Sequence, residues 1–146
     1  MNLVEAVRTP EQRTQLEAQL LDAGQIYFDL WKTGVNLALR ISDLLNITMQ
    51  DVKALDPDAP ALHLVEQKTG KKRKLVVNAP ALKIMQRRLA DNPKHKYLFQ
   101  SEAVNLGRHS RQPINRRSVC RIFEKAGQGI VPNMHIGTHS MRKTRG

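Results

Sequence analysis

The sequence predicts an α+β fold, mainly helical, with a small antiparallel β-hairpin in its middle. Three observations predict it. Helix start and stop signals bracket several segments at both ends of the chain. Two runs of alternating apolar residues, ALHLVEQ and RKLVVN, flank the turn KTGKK. The length of 146 residues suffices for one domain, spanning 1–146, with its own hydrophobic core.

The elements follow in order. Thr9-Pro10-Glu11-Gln12 opens a helix. Thr9 can cap it, Pro10 suits its first turn, and Gln12 stands where a capping box requires it. That helix runs to about Ala23, and Gly24 ends it. A second helix covers about Gln25 to Thr33 and stops before Gly34, its aromatic residues turned to the core. A third spans about Arg40 to Asn46, followed by the Pro-rich turn DPDAP and then by the hairpin. Asn78 caps the next helix, with Pro80 in its first turn, to about Leu89. YLF is a short extended piece, and SEAVNLGRHSRQP a long polar loop. Asn115 to Ala126 is amphipathic and closed by Gly127, and Thr138 caps a last helix that starts at His139.

Composition narrows the function. The formal charge is +11 and the isoelectric point near 10.3. The charge is uneven: residues 1–60 hold five Lys/Arg and nine Asp/Glu, and residues 61–146 hold nineteen and four. So basic a second part attracts polyanions, and nucleic acid is the commonest. An anionic membrane surface fits less well, because no basic amphipathic helix with a Trp/Phe face is present. An RNA-binding domain is disfavoured by the low aromatic content of 4% and by the absence of RNP-like and GXXG motifs. No apolar run approaches the roughly 18 residues of a membrane span, and no secretory leader is evident. The single cysteine, Cys120, cannot close an internal disulfide, which points to a reducing compartment; it reads as an ordinary half-buried helix residue. The five histidines form no ligand cluster, and Gly137 interrupts any helix joining His135 to His139, so no metal site is expected.

Three cationic stations carry chemistry. Arg40 opens a helix between apolar Leu39 and Ile41. It is either paired with a carboxylate, such as Asp43 one turn on, or presented to an anion. Lys68 lies in the hairpin turn, where two strands hold it forward; Lys71, Lys72, Arg73 and Lys74 read as phosphate contacts. His139 and Arg142, three residues apart, share a helical face in a first turn whose free N–H groups also favour an anion.

Taken together, these stations resemble the tyrosine recombinase, or phage integrase, family. TGVNLALRISDLLNITMQDV is similar to that family's first-arginine motif: a TG turn, an arginine opening a helix, a small residue and an acid. EQKTGKKRKLVVN resembles its lysine-bearing hairpin, KYLFQS the short stretch that follows, and THSMRKT its His-x-x-Arg box. All four occur in the family's order and span about residues 25–145.

The resemblance implies a recombinase catalytic-domain fold that breaks and rejoins double-stranded DNA through a 3′-phosphotyrosine link, without cofactor or metal. It implies that Arg40 and Arg142 bind the nonbridging oxygens of the scissile phosphate. It implies that Lys68 protonates the departing 5′ oxygen and that His139 assists proton transfer. Further DNA contacts are expected from Arg108, Arg111, Arg116, Arg117, Arg121 and Lys143.

The sequence also departs from the family's pattern. The second His or Trp and the nucleophilic tyrosine that follow the His-x-x-Arg helix have no counterpart before Gly146. Tyr27 and Tyr97 read as packing residues. The chain is therefore expected to be a fragment incomplete at its C-terminus, inactive alone, and without the family's separate N-terminal DNA-clamping domain. Family members form tetramers on DNA; this chain is expected to be a monomer in solution and to be cytoplasmic, associated with the nucleoid. The alternative is a non-enzymatic DNA-binding or regulatory module that reuses the recombinase fold.

Overall fold

A computed structural model describes residues 9–66, 68–100 and 112–128. Six helices and one hairpin follow one another: α1 Pro10–Ala23, α2 Gln25–Leu37, α3 Ile41–Leu45, α4 Met49–Lys53, β1 Ala61–Val65, β2 Lys72–Val76, α5 Ala79–Asp91 and α6 Arg116–Gln128. The mainly helical α+β class is as the sequence predicts, and the sheet has two strands.

The cap of α1 is the predicted one. The Gln12 amide donates to Thr9 Oγ1 at 3.1 Å, and the Thr9 amide donates to Gln12 Oε1 at 3.3 Å. Two orphan donors of the helix end are thereby satisfied. The helix buries Leu16 and Leu20 and stops at Gly24, whose φ of 154° is one that side chains with a Cβ rarely adopt.

Helix α2 runs further than expected. Gly34 does not end it; the helix continues to Leu37 and closes at Ala38 in the left-handed conformation, φ 53° and ψ 43°. Tertiary contacts outweigh the local cost of a helical glycine. Leu37 is buried in the core, and the Asn78 side-chain amide donates to Asn36 O and Oδ1, at 3.2 and 3.1 Å. Asn78 also caps α5 by accepting from the Ala81 amide at 3.2 Å, so one residue joins the end of α2 to the start of α5. That helix extends past Leu89 to Asp91.

Helix α4 is not anticipated by the sequence reading. Five residues are too short for a periodicity signal. Its cap is nonetheless complete: the Asp51 amide donates to Thr48 Oγ1 at 3.1 Å, and the Thr48 amide donates to Asp51 Oδ2 at 2.9 Å. The segment Tyr97–Gln100 forms two isolated antiparallel bridges, Thr48 with Tyr97 and Gln100 with Pro113. It thus stitches the α3–α4 junction to the approach of α6.

Helix α6 starts under an Asn115 cap, whose Oδ1 accepts from the Arg117 and Ser118 amides at 2.8 and 3.3 Å. Gly127 does not close it: the helix passes through Gly127, which is buried beside Ala126, and reaches Gln128. Val119 and Phe123 are fully buried, and the Phe123 ring meets Trp31 of α2 edge-on, 5.5 Å between centroids.

One buried ionic group ties the helices together. Asp29 on α2 is wholly enclosed. It accepts from Arg88 Nη1 at 3.0 Å, from Gln25 Nε2 at 3.0 Å and from Arg87 Nη2. Arg88, also buried, donates its Nε to the Leu98 carbonyl at 2.8 Å and stacks over Phe99. The helix expected from Thr138 and the polar loop over 101–111 lie outside the described residues. Among the described residues, no helix is long and apolar enough to cross a membrane.

Candidate functional site

Arg40 is the N-cap residue of α3, with extended backbone (φ −72°, ψ 154°). The left-handed Ala38 turns the chain so that Leu39 and Ile41, each 1% exposed, enter the core on either side of it. The Arg40 carbonyl accepts the Leu44 amide at 3.0 Å, fixing the backbone. Its side chain is half-buried, and Nε is enclosed without a hydrogen-bond partner among the described residues. The pair with Asp43 considered from the sequence does not form: the described ion pairs join Lys32 to Glu17, Arg73 to Glu66, and Arg87 and Arg88 to Asp29. A cation at a helix N-terminus opposes the helix dipole. A buried, unpaired guanidinium N–H is costly as well. Among the described residues, local stability does not account for the position.

The hairpin holds Lys68. Its register pairs Leu62 with Leu75, His63 with Lys74, Leu64 with Arg73 and Val65 with Lys72. Successive side chains alternate between faces. Leu62, Leu64, Arg73 and Leu75 turn inward; His63, Val65, Lys72, Lys74 and Val76 turn outward and are exposed. The structure thus separates Arg73 from Lys72 and Lys74. Lys68 and Lys71 are exposed in the turn.

Glu66 organises that turn, a role the sequence reading does not assign. Its amide donates to Lys71 O at 2.9 Å, and its carbonyl accepts the Gly70 amide at 2.7 Å. Its carboxylate accepts from Thr69 Oγ1 at 3.2 Å and lies 3.6 Å from Arg73 Nη1. Thr69 Oγ1 in turn accepts the Lys71 amide at 3.3 Å. Gly70 takes φ 70°, the left-handed value the turn requires. The acid preceding QKTG was visible in the sequence; its contacts depend on the turn geometry and were not.

The third group of cations is on α6. Arg116, Arg117 and Arg121 are exposed, and with half-buried Cys120 and Glu124 they line one shallow depression. Among the described residues no cluster of His, Cys, Asp and Glu could hold a metal ion. His139, Arg142, Lys143, Arg108 and Arg111 lie outside the described residues.

Comparison with known proteins identifies the group to which this scaffold belongs. The chain is 32% identical, over all 146 residues, to the probable integrase/recombinase YoeC of Bacillus subtilis (strain 168), of which it covers 75%. Its fold matches λ integrase bound to DNA, with a TM-score of 0.74 at 14% identity over 99% of this chain and 51% of the other. It also matches a λ integrase tetramer bound to a Holliday junction, with a TM-score of 0.72 at 16% identity over 97% and 42%. The chain thus spans about half or less of the solved structures it resembles. Residues 29–146 match the sequence profile of the phage integrase family. With that match over most of its length and a relative at 32% identity, the chain belongs to the phage integrase family.

Proposed function

We propose that this chain is the phosphate-binding part of a tyrosine recombinase catalytic domain, a single domain over 1–146, and that it binds duplex DNA. The observation that carries the reading is Arg40: a half-buried guanidinium on a backbone fixed by core residues, with Nε enclosed and no partner among the described residues. Family membership and a fold shared with a DNA-bound λ integrase support it.

In this reading Arg40 and Arg142 hold the nonbridging oxygens of one phosphodiester. Negative charge develops there in the transition state, and preorganised guanidiniums stabilise it without reorganisation. Lys68 delivers a proton to the departing 5′ oxygen, and His139 assists transfer at the attacking tyrosine hydroxyl. The tyrosyl ester retains the energy of the broken phosphodiester, so rejoining needs no nucleotide. The hairpin lysines, the α6 arginines, Arg108, Arg111 and Lys143 hold the duplex through its phosphates. The protein works in the cytoplasm on nucleoid DNA and is a monomer before it meets DNA.

Neither tyrosine of this chain serves as the nucleophile. Tyr27 is half-buried against the core on α2, and Tyr97 is engaged in the bridge to Thr48 with Lys96 over its ring. The chain alone therefore binds but does not cleave. The test is incubation with a nicked suicide duplex, followed by denaturing electrophoresis and peptide mapping. Retarded duplex in a native gel with no covalent adduct is expected; an adduct on Tyr27 or Tyr97 contradicts the assignment.

A further inference from the structure

We infer that Glu66 is a positioning residue for Lys68, an inference that rests on the reading of Lys68 as the phosphate-facing lysine. Glu66 is an acid that directly precedes the most basic stretch of the described chain, which holds Lys68, Lys71, Lys72, Arg73 and Lys74. On charge alone it opposes DNA binding. Its contacts give it another task. Backbone hydrogen bonds to Gly70 and Lys71 close the turn from one side, and the carboxylate draws in Thr69 and Arg73 from the other. Lys68 lies inside the closed loop, next in sequence to Thr69. A lysine side chain is long and flexible, so its ammonium is placed only as well as the backbone beneath it. An exposed two-stranded hairpin is marginally stable by itself. Glu66 thus restricts the turn from which Lys68 reaches, and it draws Arg73 inward, leaving the outward cations to the duplex.

Two opposed expectations make this testable. If Glu66 acts only as a negative charge, Glu66→Ala strengthens binding to a short duplex. If it positions Lys68, the same change weakens binding despite the added net positive charge, by about threefold, and the loss disappears in a Lys68→Ala background. Thr69→Val, which alters no charge, weakens binding in the same Lys68-dependent way, by about twofold. Amide hydrogen exchange at Gly70 and Lys71 rises about threefold or more in both variants, while circular dichroism remains that of the parent.

Tighter binding by Glu66→Ala in both backgrounds overturns the inference. So does unchanged exchange at Gly70 and Lys71. If Lys68→Ala itself leaves affinity unaltered, the reading of Lys68 fails and this role with it. Faster exchange in Glu66→Ala then still shows that the clamp exists, which separates the two failures.

Discussion

Asp29 and Arg88, 59 residues apart in sequence, form an ion pair of 3.0 Å with both side chains enclosed in the core. Charges are expensive to bury and are tolerated where each is paired and hydrogen-bonded. Asp29 receives three donors, and Arg88 adds the Leu98 carbonyl and the Phe99 ring. The pair fastens α5 to α2, the helix that leads through Ala38 to Arg40. Replacing Arg88 with Ala leaves Asp29 short of its principal donor and should cost about 3–5 kcal/mol. Arg87 is more than a third exposed, so Arg87→Ala should cost only about 1 kcal/mol. Urea denaturation of the two variants checks the order and the sizes.

The left-handed Ala38 makes a second expectation. An L-residue pays about 1–2 kcal/mol in that conformation, and glycine does not. Part of the gain is offset by the greater freedom of glycine in the unfolded chain. Ala38→Gly should therefore raise stability by about 0.5–1 kcal/mol, read from the shift in urea midpoint at unchanged slope. Ala38→Val should lower it, because a β-branched residue fits a positive φ poorly.

The α6 arginines test the mode of DNA contact. Arg116, Arg117 and Arg121 share one exposed surface whose charge suits a phosphate backbone. Arg117→Ala should weaken binding to duplexes of unrelated sequence by the same factor and should reduce the slope of affinity against salt by about 1. Fluorescence anisotropy over a range of salt concentrations measures both. A loss confined to particular sequences would instead mark Arg117 as a reader of base edges.

The Trp31–Phe123 contact makes an independent stability test. Phe123 has no exposed surface and meets Trp31 edge-on. Phe123→Ala should cost about 3–5 kcal/mol, in the range for emptying a large aromatic site. Quenching or shift of the lone Trp31 fluorescence during urea titration reports it directly.

Much of this architecture is legible in the sequence, and the parts that are not share a cause. The α1 cap and the Asn78 cap rest on residues three positions apart, and the hairpin on two adjacent strands joined by one short turn, so local chemistry announces them. The extension of α2 past Gly34 depends on Asn78, 42 residues away, and so escapes a local reading. Helix α4 is too short to show a period, although its Thr48-x-x-Asp51 cap was there to be read. Gly127 looks like a helix stop, yet it is buried as part of α6. In the site, Arg40 and Lys68 stand out through their motifs. That Arg40 forms no ion pair with Asp43, and that Glu66 gathers Thr69 and Arg73, are facts of three-dimensional geometry among the described residues.

Arg40 and Arg142 are proposed to grip the same phosphate, and a double-mutant cycle on duplex DNA affinity tests this most directly. Arg40→Ala and Arg142→Ala should each weaken binding by about tenfold. Together they should depart from additivity by about 0.5–3 kcal/mol, because either loss already disables the shared contact. Losses that simply add, as for cations on separate faces of the protein, would contradict it.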